Sequence, residues 1–312
     1  MSAALAYLMN TSARQPVAFS RGQGALLWDS EGVEYLDAIA GVAVTSLGHA
    51  NPEIAAAIAE QAGVLLHTTN MFRIPWQEQL GERLCRLSGM QRAFFCNSGA
   101  EANEAALKLA RLHGNARQVA QPQVLVMENS FHGRTLATLA ATGNPAVQRG
   151  FEPLMPGFIR VPYDDIDAVR QVAAQSPNVV AVLVEPVQGE GGVHAASIGY
   201  LQALRQVCDE HDWLMMIDEV QTGLGRTGTW FGFQHAGIEP DVISLAKAFG
   251  HRSPLGACLA RGKAAASFAP VHPAPPLRAH PLAGQLGSTV LDRIQRYHLP
   301  HRPAASCLAP AP

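Results

Sequence analysis

The chain has 312 residues, of which 48% are apolar and 15% are charged. This length suits one large domain or two smaller ones, with a core that needs no metal or disulfide support. The formal net charge of −2 excludes a strong field for nucleic acid or anionic membranes, and the low charge content argues against a disordered or coiled-coil protein.

The first 90 residues carry signals for short strands and two helices. Two strands flank a turn at residues 29–32, and Asn51-Pro52 opens a helix that continues to Ala62. A second helix is predicted over residues 76–87.

From residue 90 onwards, short apolar runs alternate with helical stretches. The predicted strands are Ala93–Phe95, Val124–Met127, Val179–Val184, Leu214–Ile217 and Val242–Ser244. The predicted helices between them are Glu101–Leu112, Ile166–Gln175 and Leu201–His211. This alternation predicts an α/β fold, with a mostly parallel sheet covered by helices on both faces. Ligands of such sheets bind beyond the carboxyl ends of the strands, where polar or glycine-rich loops follow four of the five predicted strands.

The alternation stops after Lys263. Nine of the 21 prolines fall within residues 270–312, and that stretch has one acidic residue, Asp292. Apart from a short amphipathic segment over residues 290–297, we expect residues 266–312 to form a disordered tail rich in proline, alanine and histidine.

The composition also predicts a cytoplasmic protein. The five cysteines show no CxxC spacing, which is typical of buried thiols in a reducing compartment. No apolar run reaches the roughly 18 residues of a membrane span, and residues 1–20 lack a secretory signal pattern.

The loop 97–101 follows a predicted strand and opens a helix. Its free backbone N–H groups and the helix dipole would bind an anion, and Gly99 would let a phosphate approach the backbone. The alternative is an ordinary capping box made by Ser98 and Glu101, which this motif on its own favours.

The loop 130–135 brings an aromatic ring, an imidazole and a guanidinium to the end of another strand. The ring of Phe131 can stack on a planar group, and Arg134, two residues after His132, can clamp a carboxylate. A core phenylalanine and a solvated arginine are the alternative interpretation.

Three further loops place charged side chains at strand ends. Glu185 and Glu190 flank a glycine-rich turn, where a buried carboxylate next to an arginine could gate a substrate carboxylate, although exposed acids would give the same pattern. Burial of Asp218 requires a cation such as a protonated ring nitrogen or a metal, but no metal-ligand spacing surrounds it, and a helix-capping aspartate is the alternative. Lys247 has small apolar neighbours that would lower its pKa, which suits a Schiff-base lysine, although lysines near strand ends are common.

The loops together are more specific than any one of them. The segments NSGAEANEAALKLAR, SFHGRT, EPVQGEGG, IDEVQTGLGRTG and SLAKAFG occur in this order. They resemble the class III aminotransferases, and within that class the enzymes that act on acetylornithine. The resemblance covers residues 9 to about 265. It implies the fold type I architecture of enzymes that depend on pyridoxal 5′-phosphate (PLP), with PLP as cofactor.

The resemblance assigns roles at the cofactor. Lys247 would bind PLP covalently and shuttle a proton, Asp218 would pair with the ring nitrogen, and Gln221 would hydrogen-bond the ring hydroxyl. Phe131 would stack on the ring. The remaining cofactor-binding residues on this resemblance are Ser98, Gly99 and Ala100, at the phosphate, and His132.

The resemblance also implies substrates and partners. Arg134 would bind the α-carboxylate of the amino acid, and Glu190 would be the switch that admits both a diamino substrate and a dicarboxylic oxo-acid. The implied reaction, a step of arginine biosynthesis, moves the δ-amino group of N2-acetylornithine to 2-oxoglutarate, giving N-acetylglutamate 5-semialdehyde and glutamate. The macromolecular partner would be a second copy of the chain. The alternatives are transamination of ornithine, succinylornithine, succinyl-diaminopimelate or 4-aminobutyrate, and an inactive truncated relative.

The chain also departs from the family pattern. Ser12 replaces a substrate-facing tyrosine, and residues 251–254 read HRSP instead of an Asn-Gly-Val-Pro-like turn. Beyond Ala265 we find neither the family's Gly-Ser/Thr-Thr-Phe-Gly-Gly-Asn-Pro run nor the rest of its small domain. We therefore expect an incomplete small domain, a tail of the kind that a frameshift in a G+C-rich gene produces, and little transaminase activity. The expected domains are an N-terminal segment of the small domain (1–50), a PLP-binding large domain (51–265) and an atypical tail (266–312).

Overall fold

A mostly parallel sheet of seven strands forms the centre of the structure, as the sequence predicts. The computed structural model describes residues 7–268 and 280–297. Within these ranges the strands are β1 (Phe19–Gln23), β2 (Leu26–Asp29), β3 (Glu34–Leu36), β4 (Arg92–Cys96), β5 (Gln123–Met127), β6 (Phe158–Val161), β7 (Val179–Val184), β8 (Val187–Gln188), β9 (His194–Ala195), β10 (Leu214–Asp218), β11 (Val242–Leu245) and β12 (Gly256–Ala260). The central sheet has the order β4–β12–β11–β10–β7–β5–β6, and β12 runs antiparallel to both of its neighbours. Strands β1 to β3 form a separate antiparallel sheet, and β8 and β9 form a short ribbon.

Helices connect the strands of the central sheet. They are α1 (Ala40–Ala43), α2 (Pro52–Val64), α3 (Pro75–Ser88), α4 (Gly99–Ala116), α5 (Leu136–Ala141), α6 (Pro145–Gln148), α7 (Ile166–Gln175), α8 (Ile198–Glu210), α9 (Gly262–Ala265) and α10 (Pro281–Arg296). Short 3-10 turns cover Gly232–Ala236 and Lys247–Gly250. Among the helices of the described ranges, none combines the length and the apolar character that crossing a bilayer requires.

The core lies on both faces of the central sheet. Alternate residues of a strand point to opposite faces, so Val182 and Val184 join one apolar cluster while Ala181 and Leu183 join the other. The first cluster includes residues of α2, α3, α8 and α10, and the second includes residues of α4 and α5. Every residue of β7 and of β10 is buried, which explains why both read as continuous apolar runs.

The five predicted strands of the alternating region are confirmed, and so are the helices between them. The prediction omitted β1, β6, β8, β9 and β12. The predicted domain boundaries at residues 50 and 265 stay predictions.

The expectation of a disordered tail is wrong for residues 281–296, which form the helix α10. Pro281 stands at its first position, and two arginines lie in its last turn, where they complement the helix dipole. Helix α10 begins nine residues before the amphipathic segment that the sequence suggested. The other parts of the predicted tail, residues 269–279 and 298–312, lie outside the described residues.

Helix α10 is held by burial and by ion pairs. Leu286, Val290, Leu291 and Ile294 are each at most 1% exposed. A Cβ on Gly287 would lie 2.8 Å from a methyl group of Leu80 and 3.3 Å from the ring of Phe249, so the helix packs directly against the turn that follows Lys247.

Charged groups then fix the register of α10 on the neighbouring helices. Arg83 of α3 donates to the carbonyl of Ser288 at 3.1 Å and to the carboxylate of Asp292 at 2.6 Å. Arg293 pairs with Glu53 of α2. The helix therefore belongs to the folded core and supports the segment that carries the candidate catalytic lysine.

We expect Leu291→Ala to lower the free energy of unfolding by about 2–5 kcal/mol, because it leaves a cavity between α10 and the core. Urea unfolding followed by circular dichroism measures the change. Gln295→Ala, on the exposed side of the same helix, is the matched control and should change stability by less than about 0.5 kcal/mol. Equal stabilities of the two variants would contradict the docking of α10.

Candidate active site

A cavity of about 510 Å³ opens beyond the carboxyl ends of the parallel strands. Its walls come from the loops that follow β4, β5, β7, β10 and β11, because parallel strands deliver their loops to one edge of the sheet. The structure brings nine of the ten predicted site residues to this cavity: Ser98, Gly99, Ala100, Phe131, His132, Arg134, Asp218, Gln221 and Lys247.

The carboxylate of Asp218 is the best-connected group in the cavity. It ends the buried strand β10 and is 4% exposed. Its Oδ2 accepts hydrogen bonds from Asn103 at 2.7 Å and from Nδ1 of His132 at 2.8 Å. Its Oδ1 accepts from the backbone N–H of Val220 at 3.0 Å and from the hydroxyl of Ser244 at 3.4 Å. The alternative of a simple helix-capping aspartate does not fit this set of donors.

His132 lies beneath the cavity and is 2% exposed. Burial acts to lower its pKa, but the hydrogen bond and the charge of Asp218 outweigh that effect and raise the pKa above its ordinary value. The backbone N–H of His132 donates to Thr142 at 3.0 Å. Its Nε2 is buried and has no hydrogen-bond partner in the described part of the chain.

The start of helix α4 forms one wall of the cavity. Ser98 is the N-cap and accepts from the N–H of Glu101 at 3.2 Å, while the Glu101 carboxylate accepts from the N–H of Asn97 at 2.5 Å. Ser98 is therefore an N-cap, but the expected capping box is not completed, because Glu101 accepts from Asn97 and not from Ser98. The N–H groups of Gly99 and Ala100 remain for an anion, since the first N–H groups of a helix have no acceptor within it. A Cβ on Gly99 would lie 2.7 Å from the side chain of Val220, so this wall tolerates only glycine.

Phe131 and Arg134 also line the cavity. Phe131 is half-buried, and its N–H donates to the Glu185 carboxylate at 3.0 Å. Arg134 lies exposed at the mouth of the cavity, and within residues 7–268 and 280–297 its guanidinium forms no hydrogen bond or ion pair. It is therefore available to a carboxylate from solution.

Lys247 follows β11 in the left-handed backbone region, with φ of +46°. A lysine rarely adopts this conformation, and such strain is concentrated at functional sites. Burial lowers its pKa, against the opposing charges of Glu190, Asp218 and Glu185. The ammonium donates to the side-chain oxygen of Gln221.

Glu190 is the predicted site residue that does not line the cavity. It lies exposed on the turn after β8, although its charge partly opposes the lowering of the pKa of Lys247 by burial. The turn itself lies close to Gln221, because a Cβ on Gly189 would be 2.5 Å from the amide of that residue.

The segment 251–254, which departs from the family pattern, contributes residues 252–254 to the cavity wall.

Comparison with known proteins decides the family. The profile of the family described as aminotransferase class III matches residues 8–306. The chain belongs to aminotransferase class III.

Individual class III relatives agree with this assignment. The acetylornithine aminotransferase of Nitrosomonas europaea is 54% identical over 292 residues, which are 94% of this chain and 74% of that protein. Among solved structures, the ornithine aminotransferase of Toxoplasma gondii superposes with a TM-score of 0.91 at 32% identity, covering 95% of this chain and 71% of that one. The acetylornithine aminotransferase of Elizabethkingia anophelis gives a TM-score of 0.83 at 31% identity, covering 95% of this chain and 72% of that one.

The extent of the match corrects one sequence-based expectation. The resemblance to class III does not end at Ala265, since the family profile continues to residue 306 and includes α10. The deviating composition beyond Ala265 hid this relationship, and the expectation of little transaminase activity loses the premise on which it depended.

Two residues of the site were missed in the sequence. Asn103 could have been found because it lies four residues after Gly99 and hence on the same face of α4. Ser244 lies opposite Asp218 in the register of β10 and β11. The signal in the sequence was a hydroxyl side chain near the end of an apolar strand. Within the described ranges, no cluster of His, Cys, Asp and Glu side chains could hold a metal ion.

Glu185 gives this class III site a pH dependence. Burial raises the pKa of Glu185 to about 7, from an ordinary value of 4.5. Between these two values the folded state binds more protons than the unfolded chain, so stability falls as the pH rises from 4.5 to 7.

We expect the native protein to lose about 2–3 kcal/mol more stability between pH 5 and pH 8 than Glu185→Gln, which keeps an acceptor for Phe131 but does not ionise. Urea unfolding at the two pH values measures the difference. The exposed Glu210→Gln is the control and should follow the native protein. If the native protein and Glu185→Gln lost the same stability between the two pH values, the pKa of Glu185 would not be raised by burial.

Proposed function

We propose that the chain moves the δ-amino group of N2-acetylornithine to 2-oxoglutarate with PLP as cofactor, giving N-acetylglutamate 5-semialdehyde and glutamate in arginine biosynthesis. The observation that carries this proposal is the convergence of a lysine, a buried carboxylate and a helix N-terminus on one cavity. The relatives named acetylornithine aminotransferase support the choice of donor.

The cavity fits PLP. A second structure of the Toxoplasma gondii enzyme reports partial occupancy of PLP at its active site. Here the N–H groups of Gly99 and Ala100 with Ser98 would hold the phosphate, and the buried Asp218 would pair with the protonated ring nitrogen. Phe131 would stack on the ring, with Gln221 at the ring hydroxyl and His132 behind Asp218. A metal would not suit this set of groups, because hydrogen-bond donors of the protein already occupy the carboxylate.

The residues of the chain divide the chemistry between them. PLP, when bound, supplies an electron sink for the negative charge that develops at the substrate carbon. Lys247 would hold the cofactor covalently and then carry a proton to and from that carbon, and its lowered pKa favours the neutral amine that accepts a proton. Asp218 would hold the ring nitrogen protonated.

Two charged residues would bind the substrates: Arg134 in the cavity wall and Glu190 on the turn after β8. Arg134 would bind the α-carboxylate of the amino acid with its planar guanidinium. Glu190, exposed on a turn that approaches Gln221, would repel or admit a second carboxylate and so alternate between the two substrates.

We also propose a cytoplasmic homodimer. Met71 and Phe72 are 86% and 68% exposed, next to an apolar groove of about 1140 Å³ between α3 and β4. Exposed apolar side chains of this size beside a groove are typical of protein interfaces. Cys85, Cys208 and Cys258 are free thiols, which fits a reducing compartment.

Lys247→Ala should abolish the visible absorption band of lysine-bound PLP and reduce the rate of glutamate formation at least about 10³-fold, because no other group replaces the proton carrier. Lys108→Ala, an exposed lysine on α4, is the control and should keep both. A full band in Lys247→Ala would place the covalent site elsewhere.

Arg134→Gln should raise KM for N2-acetylornithine roughly 10- to 100-fold, since a charge-assisted pair with the α-carboxylate is lost. Initial rates over a range of donor concentrations give KM and kcat separately. Arg149→Gln, an exposed arginine away from the cavity, should leave KM at the native value. An unchanged KM in Arg134→Gln would assign carboxylate binding to another residue.

A further inference from the structure

Asn103 is a buried polar side chain that the proposed mechanism does not use. It lies on α4 and is 1% exposed. Its amide nitrogen donates to Oδ2 of Asp218 at 2.7 Å and to the backbone carbonyl of His132 at 2.8 Å. Both partners are acceptors, so the nitrogen must be the atom between them, and both amide hydrogens are used.

The same carboxylate oxygen receives a second donor. Nδ1 of His132 binds Oδ2 of Asp218 at 2.8 Å, so Asn103 approaches that oxygen from α4 while the imidazole approaches it from the loop after β5. Asp218 is 4% exposed, so solvent is poorly placed to substitute for a donor that is removed. The two donors hold the carboxylate in one orientation.

Asn103 also connects the helix that would hold the cofactor phosphate with the carboxylate of Asp218. It lies four residues after Gly99, so both face the cavity from the same side of α4, about one helical turn apart. The N-terminus of that helix carries the N–H groups that would hold the cofactor phosphate. Helix α4 is therefore joined by one side chain to the carboxylate at the end of β10.

We propose that Asn103 is a positioning residue that locks Asp218 to helix α4, so that one rigid helix sets both the phosphate position and the carboxylate that faces the ring nitrogen. This inference rests on the proposed function, namely that PLP binds in this cavity. Without Asn103 the carboxylate loses a donor and the attachment to α4, and the ring nitrogen of bound PLP is protonated less fully.

The test uses PLP labelled with ¹⁵N in the ring, bound to native protein, Asn103→Ala and Asn103→Leu. The leucine variant fills the amide's volume without a donor, so it remains informative if the alanine variant folds poorly. We expect the ¹⁵N signal of both variants to move towards that of an unprotonated pyridine and the dissociation constant of PLP to rise roughly tenfold or more.

Leu109→Ala is the matched control, because this residue is 1% exposed on the same helix but does not line the site. It should lose stability and keep the native ¹⁵N signal. A native signal and native PLP affinity in both Asn103 variants would overturn the inference, as would a loss of stability alone. A native protein that binds no PLP would instead overturn the proposed function.

Discussion

The candidate site depends on one buried carboxylate. Asp218 sits at the end of a fully buried strand, where an ionised group is tolerated only if donors satisfy it. The donors come from four separate places in the chain: helix α4, the loop after β5, the backbone beyond β10, and β11. Satisfying this one group therefore requires the sheet and its loops to be assembled correctly.

The topology of the sheet makes that assembly possible. Strands β5, β7, β10 and β11 are parallel, so the loops that follow them reach the same edge of the sheet. Loops that are far apart in sequence therefore meet at one cavity. Helix α10 packs against the turn that carries Lys247, because Gly287 has no side chain to prevent the close approach. The residues on either side of Lys247 in the chain, Ala246 and Ala248, are buried, and burial of its neighbours helps to hold Lys247 in the left-handed conformation.

Sequence reasoning found the parallel sheet because its buried strands are apolar runs between helices, as in β7 and β10. It missed β12, whose small residues Gly256, Ala257 and Cys258 lack the branched and aromatic side chains typical of strands. It also began α10 too late, because the two glycines in its first half have low helix propensity and are kept by tight packing against α3. The site loops were visible as motifs, but the role of Asn103 depends on a contact 115 residues away in sequence, which only the folded chain provides.

The most direct measurement is the visible absorption of purified native protein during a sequence of additions. PLP should produce a band, N2-acetylornithine should remove it, and 2-oxoglutarate should restore it with formation of glutamate. This cycle requires the lysine, the buried carboxylate and the substrate-binding residues to act together in one cavity. A protein that forms no band, or a band that neither substrate changes, would contradict transamination at this site.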